Sequence, residues 1–134
     1  MAQAHVLRFD ELPRVARGGG VETVPLAGPR VGAQGISTGV TRFPPGAAVP
    51  LHTHNVEEAV TLLEGEATAE VNGQLVPVKP WDTTYVPAGV PHRFLNTGPG
   101  RMSILWVYGG TRVTRTFVET GETVEQLSEH DLVR

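Results

Sequence analysis

Two histidines one residue apart, a glutamate shortly after them and a third histidine well downstream are the side chains here whose types and spacing suit chemistry: His52, His54, Glu58 and His92. Imidazole nitrogens with one carboxylate hold a divalent transition metal such as iron, manganese, zinc or nickel, and suit calcium poorly because calcium takes oxygen ligands. Copper stands high in the affinity order, although availability decides which ion a protein meets. On a strand, His52 and His54 point to one face and reach one ion. Glu58 follows a short bend and can share that face, while His92 must arrive from another strand. A solitary histidine in a strand is ordinarily surface decoration or a hydrogen-bonded core residue. The agreement of a pair, a carboxylate and a third histidine is what favours one metal centre with open positions, at which a small oxygen-bearing molecule is polarised.

These residues need a scaffold that brings separate segments together, and the punctuation of the chain supplies one. Sixteen glycines and 11 prolines are spread over 134 residues, the pattern of many short strands joined by turns. His5 to Phe9 reads as an edge strand or arm, Leu12 to Arg17 as one helical turn, and Gly18 to Gly20 as a flexible joint. Strands are expected at Val21 to Leu26, Ala33 to Phe43, Leu51 to His54, Ala59 to Leu63 and Glu66 to Val71. Asn72 and Gly73 are the strongest hairpin signal, since both accept positive φ, and Gln74 to Val78 returns antiparallel from them. Thr83 to Val86, His92 to Asn96, Ser103 to Tyr108 and Val113 to Val118 continue the series, and Glu122 to Arg134 reads as a short helix or loop. Roughly nine or ten strands with almost no helix predict an all-β, closed or sandwiched antiparallel barrel. The expected organisation is one domain: residues 1–30 as N-terminal arm and edge strands, 31–118 as barrel, 119–134 as C-terminal tail.

Composition narrows the function. A net charge of -3 and a pI near 5.9, with scattered basic residues, give no reason to expect nucleic acid as a partner. The absence of cysteine removes disulfides, thiolate nucleophiles and thiolate-bound zinc. Met1 to Val15 is broken by Arg8, Asp10, Glu11, Pro13 and Arg14, so neither a signal peptide nor a membrane span is expected there, and a cytoplasmic location follows as the default.

Gly46, His52, His54, Glu58 and Gly65, at the spacing in which they occur, resemble the first motif of the cupin superfamily, and Pro87, Gly89, His92 and Asn96 resemble the second. The glycine that usually opens the second motif is Trp81 here, with Asp82 after it, so that turn is expected to survive with altered geometry. The resemblance spans about Gly35 to Tyr108. It implies a jelly-roll barrel of about six to eight antiparallel strands that holds one metal through the three histidines and Glu58. It implies much less about reaction, because the superfamily includes oxygenases, isomerases, lyases, storage proteins and sensors. Small cupins also commonly pair as homodimers, some by exchanging N-terminal strands.

If Glu58 faces inward, alternation carries Val60 and Leu62 inward as well, and His92 carries Phe94 and Asn96. With Tyr85, Trp106 and Tyr108 as candidate aromatic walls, or alternatively ordinary barrel core, this makes an apolar pocket around a polar centre. Glu57 should point away and be solvated. Arg42, Arg112 and Arg115 are possible carboxylate anchors, although a surface place is the ordinary reading of each. His5 and His130 are expected to have no ligand role. The functional expectation is a metal-dependent enzyme of oxygenase, isomerase or lyase type acting on a small oxygen-bearing substrate. The alternative is a non-catalytic module that binds or senses a metabolite.

Overall fold

A computed structural model describes residues 3–133; Met1 and Ala2 of the arm and Arg134 of the tail lie outside the described residues. In chain order the strands are β1 (Val15–Gly18), β2 (Val21–Pro25), β3 (Ser37–Phe43), β4 (His52–His54), β5 (Glu58–Glu64), β6 (Ala67–Val71), β7 (Gln74–Val78), β8 (Thr83–Val86), β9 (His92–Asn96), β10 (Met102–Tyr108), β11 (Thr114–Phe117) and β12 (Thr123–Glu125). They form two antiparallel six-stranded sheets, in the orders β1-β2-β3-β10-β5-β8 and β12-β11-β4-β9-β6-β7. The fold is the all-β jelly roll, present as two facing sheets with no ladder joining them among the described residues.

Side-chain alternation explains why each strand buries one face. Along β5, Glu58, Val60 and Leu62 are buried while Ala59 and Thr61 are half-exposed; along β9, His92, Phe94 and Asn96 are buried while Arg93 and Leu95 are not. The core between the sheets includes Phe43, Val60, Leu62, Phe94, Met102, Ile104 and Trp106. On the outer face, cross-strand neighbours Glu70 and Arg93 form an ion pair of 2.7 Å.

Several local expectations hold and others change. Asn72 and Gly73, with φ of 49° and 84°, make the tight turn between β6 and β7. Gly18 to Gly20 form a hairpin turn, not a flexible joint: all three have positive φ, and β1 and β2 pair directly across them. The helical turn expected at Leu12 to Arg17 lies earlier, as a 3-10 turn at Phe9–Glu11, and Val15–Gly18 is strand. Phe9 is held in place by the guanidinium groups of Arg14 and Arg42, 4.6 and 4.8 Å from its ring centre. The tail includes a strand, because Val124 between two threonine- and glutamate-bearing exposed positions continues the alternation of β11, its partner.

Two turns bear on the motifs. Gly65 ends β5 with φ of 91°, and a Cβ there would lie 2.5 Å from the Arg101 carbonyl oxygen, so only glycine lets these backbones approach. Trp81 occupies a left-handed position, φ 77°, with its side chain 76% exposed. The turn is pinned by the Trp81 N–H donating to Leu62 O at 2.7 Å and by the Lys79 N–H donating to the Asp82 carboxylate at 3.0 Å. The conformation usual for glycine is thus kept by a residue that tolerates it poorly.

Candidate metal centre

Strand register brings the histidines together. His52 on β4 lies directly opposite His92 on β9, and His54 follows on the same face. Glu58, the first residue of β5, sits across from Tyr108 on β10. His52, His54 and His92 are buried, and their nearest ring nitrogens all lie within 4.8 Å of one another. Glu58 Oε1 is 2.8 Å from His92 Nε2 and 3.8 Å from His54 Nε2.

Each ring is oriented by its other nitrogen. The Nδ1 atoms of His52, His54 and His92 lie 2.6, 2.9 and 2.9 Å from the backbone oxygens of Pro50, Thr114 and Val90, respectively. A carbonyl oxygen only accepts, so Nδ1 of each ring carries a proton, which leaves a lone pair on Nε2 of the neutral His52 and His54 rings. This is how histidine ligands are ordinarily held by the residues behind them. At His54, the Tyr108 hydroxyl, 3.2 Å away, donates to that lone pair. At His92 the arrangement does not balance for a neutral ring. Val90 O and Glu58 Oε1 both accept, yet neutral imidazole has one proton. A proton on Nε2 balances this contact in the metal-free chain, and a metal ion held by the three Nε2 atoms and Glu58 would take that proton's place. The donor set therefore fits a divalent transition metal.

Electrostatics favour the same occupant. Burial, reinforced by Arg115 and the other two histidines, holds His52 well below its ordinary value. Burial also brings His54 down to about 3 against the opposing pull of Glu58, with Arg115 and His92 adding to the lowering. Both rings are neutral at physiological pH, the state that ligates. Burial and the nearby Glu58 carboxylate push the Tyr108 phenol well above its ordinary value, so it stays a donor.

A small cavity of about 30 Å³ opens beside these residues, with Phe94, Ile104 and Trp106 as apolar walls. Trp106 is fixed by donation to Thr41 Oγ1 at 2.9 Å and by lying over Gly39, where a Cβ would overlap its ring. Trp106 and Gln126 also border a larger hollow of about 280 Å³.

The expected pocket residues divide. Phe94 and Trp106 line the cavity; Val60 and Leu62 point inward but pack in the core without lining it. Tyr85 is a correction: it is 61% exposed and donates to Glu57 at 2.9 Å on the outside of the sheet. Its register partner is Ala59, so it shares the face opposite to Glu58 and Val60. Glu57 is exposed, as expected, and Asn96 serves the fold by donating to Phe43 O and Gly100 O. Arg42 lies against Phe9, and Arg112 is exposed. Arg115 is also a correction, since it is 4% exposed and borders the cavity. Alternation with Val113 and Phe117 carried the signal for it. Arg17 borders the same cavity and is paired with the buried Asp131 of the tail; nothing in local sequence spacing points to that pair.

This chain belongs to the cupin family: the cupin domain profile matches residues 39–108. Its relatives include Protein SchB of Streptomyces halstedii, 29% identical over 126 residues, which cover 92% of this chain and 91% of that protein. The oxalate-binding protein of Thermotoga maritima is 37% identical over 67 residues, 49% of this chain, and the match spans 55% of that protein's length. Among solved structures, a predicted oxalate decarboxylase from Thermotoga maritima superposes with a TM-score of 0.68 at 29% identity, covering 79% of this chain and 99% of that one.

Proposed function

We propose that the protein is a metal-dependent enzyme in which His52, His54, His92 and Glu58 hold one iron, manganese, zinc or nickel ion that acts on a small oxygen-bearing organic molecule. The observation that carries this is the convergence of three buried imidazoles, each fixed through Nδ1, with ligand nitrogens within 4.8 Å of one another and the Glu58 carboxylate beside them. The ion would supply Lewis-acid polarisation of a substrate oxygen. The chain's own residues do the rest. Nδ1 contacts fix the three rings, Phe94, Ile104 and Trp106 exclude bulk water, and Glu58 can accept a proton at Oε1 when its contact with His92 is relieved. Tyr108, freed from His54 Nε2 when that lone pair is used, presents its hydroxyl proton to the cavity.

Relatives whose names mention oxalate support a small carboxylic acid as the molecule concerned. The name "oxalate-binding protein" also favours a second reading, a module that binds such an acid without turnover. Oxygen uptake and product analysis over small acids and carbonyl compounds separate the two: turnover supports the enzyme, and tight binding without product supports the binding module. Among the described residues no helix is long and apolar enough to cross a membrane. A cytoplasmic homodimer completes the proposal; a monomer mass in light scattering would remove the dimer.

A further inference from the structure

Ligation of a metal uses three histidines and Glu58, and leaves a second group of buried charges beside the same cavity unexplained. Arg17 and Arg115 both border the cavity, and both are served by one carboxylate, that of Asp131, which is 0% exposed. Asp131 Oδ1 lies 2.6 Å from Arg115 Nη1 and 3.1 Å from Arg17 Nη2, while its Oδ2 accepts from the Leu127 N–H at 2.7 Å. Arg17 is further fixed through Nε to the Asp131 carbonyl oxygen at 2.8 Å and through Nη1 to Thr23 at 3.0 Å. After these contacts Arg115 Nε is buried with no hydrogen-bond acceptor, while Arg17 Nη2 meets Asp131 Oδ1 as an ion pair. A guanidinium N–H left without an acceptor in a buried place is costly, and its planar fork suits a carboxylate.

Charge points the same way. Two guanidinium groups stand against two carboxylates, Asp131 and Glu58, and histidines that ligate an ion through Nε2 are neutral. A divalent ion on the histidines leaves the buried set with two positive charges in excess. An anion of two charges balances it, with one end at the ion and the other at Arg115. The Tyr108 hydroxyl, 3.2 Å from His54 Nε2 and beside the Arg115 guanidinium, stands between these ends. A cavity of about 30 Å³ has room for roughly two or three waters, which limits the anion to a very short acid.

We propose that the cavity is a receptor for a short dicarboxylate, in which Arg115, oriented by Asp131 of the C-terminal segment, binds the carboxylate that the metal does not. This rests on the metal reading above and adds to it a binding residue, a positioning residue and a charge requirement. Preference for a dianion over a neutral molecule of equal shape is its signature.

The test is calorimetric titration of oxalate and of its neutral diamide, oxamide, into the intact chain and the Arg115→Gln and Arg115→Lys variants, each with its metal content measured. The metal-loaded wild-type chain should prefer oxalate strongly. Arg115→Gln should keep its metal, bind oxalate about 30-fold or more weakly, and bind oxamide as before. Arg115→Lys keeps a cation beside Asp131 and is the safer variant to fold; it loses the planar fork and should fall between the two. Unchanged oxalate binding in both metal-loaded variants, or no preference for oxalate in the wild-type chain, overturns the proposal. If the wild-type chain takes up no metal, the metal reading fails by itself. The same titrations without metal then still decide: an oxalate preference that Arg115→Gln abolishes supports the anion site, and its absence overturns it.

Discussion

At the scale of single residues, the centre depends on which nitrogen of each histidine is engaged. Backbone oxygens of Pro50, Thr114 and Val90 take the Nδ1 protons, so all three Nε2 atoms face the interior, as lone pairs at His52 and His54. The same arrangement makes the metal-free protein sensitive to acid. His54 titrates near about 3 in the folded chain, against about 6.5 when unfolded. Below pH ~6.5 the unfolded chain takes up a proton that the folded chain refuses, so stability is fully present above that pH and is lost as pH falls toward about 3. His52, also lowered by burial, adds in the same direction. The unfolding free energy of the protein in chelator, read by urea denaturation, should therefore fall continuously from pH 7 to pH 4, by on the order of a few kcal/mol. A flat profile would show that the rings are not buried as neutral groups.

Strands and turns were legible to different degrees, and the differences have physical causes. Most strands could be read because one face is buried, which writes alternation into sequences such as Glu58, Val60 and Leu62 or His92, Phe94 and Asn96. The same alternation on β11 contained Arg115, but a charged residue reads as exposed until its partner is known. That partner, Asp131, comes from a segment with little pattern of its own, so the Arg17–Asp131–Arg115 group emerges only from tertiary placement. Tyr85 reads as a pocket wall by its aromatic type, whereas its register with Ala59 on an edge strand turns it to the outside. Three outcomes follow at this scale. Gly39→Ala should force Trp106 from its seat, costing about 1–3 kcal/mol in urea denaturation and shifting the tryptophan emission. Trp81→Gly should raise stability by up to about 1 kcal/mol, since it removes a left-handed tryptophan whose side chain is exposed; a loss would mean that the indole makes a contact of its own. Asp131→Ala should cost about 3–5 kcal/mol by leaving two buried guanidinium groups without their carboxylate. A cost within that of an ordinary surface substitution would contradict the role given to the tail.

For the molecule as a whole, the two sheets act as opposite walls that bring residues distant in sequence to one point. The second sheet contributes His52, His54 and His92; the first contributes Glu58, Trp106 and Tyr108; the ends of the chain add Arg17 and Asp131. The ligand set could be proposed from spacing alone because His52, His54 and Glu58 are close in sequence and His92 sits in a second compact motif. The identity of the substrate was not legible in the same way, since it depends on the volume and charge of a cavity assembled from eight or so separate segments. The claim on which everything else rests is that one transition-metal ion occupies the histidine centre. Its most direct test is elemental analysis by mass spectrometry of protein purified without added metal, alongside His52→Ala and His92→Ala. About one ion per wild-type chain, with little in either variant, is the predicted result. Equal metal in all three, or none in a folded wild-type chain even after exposure to iron, manganese, zinc and nickel, would contradict it.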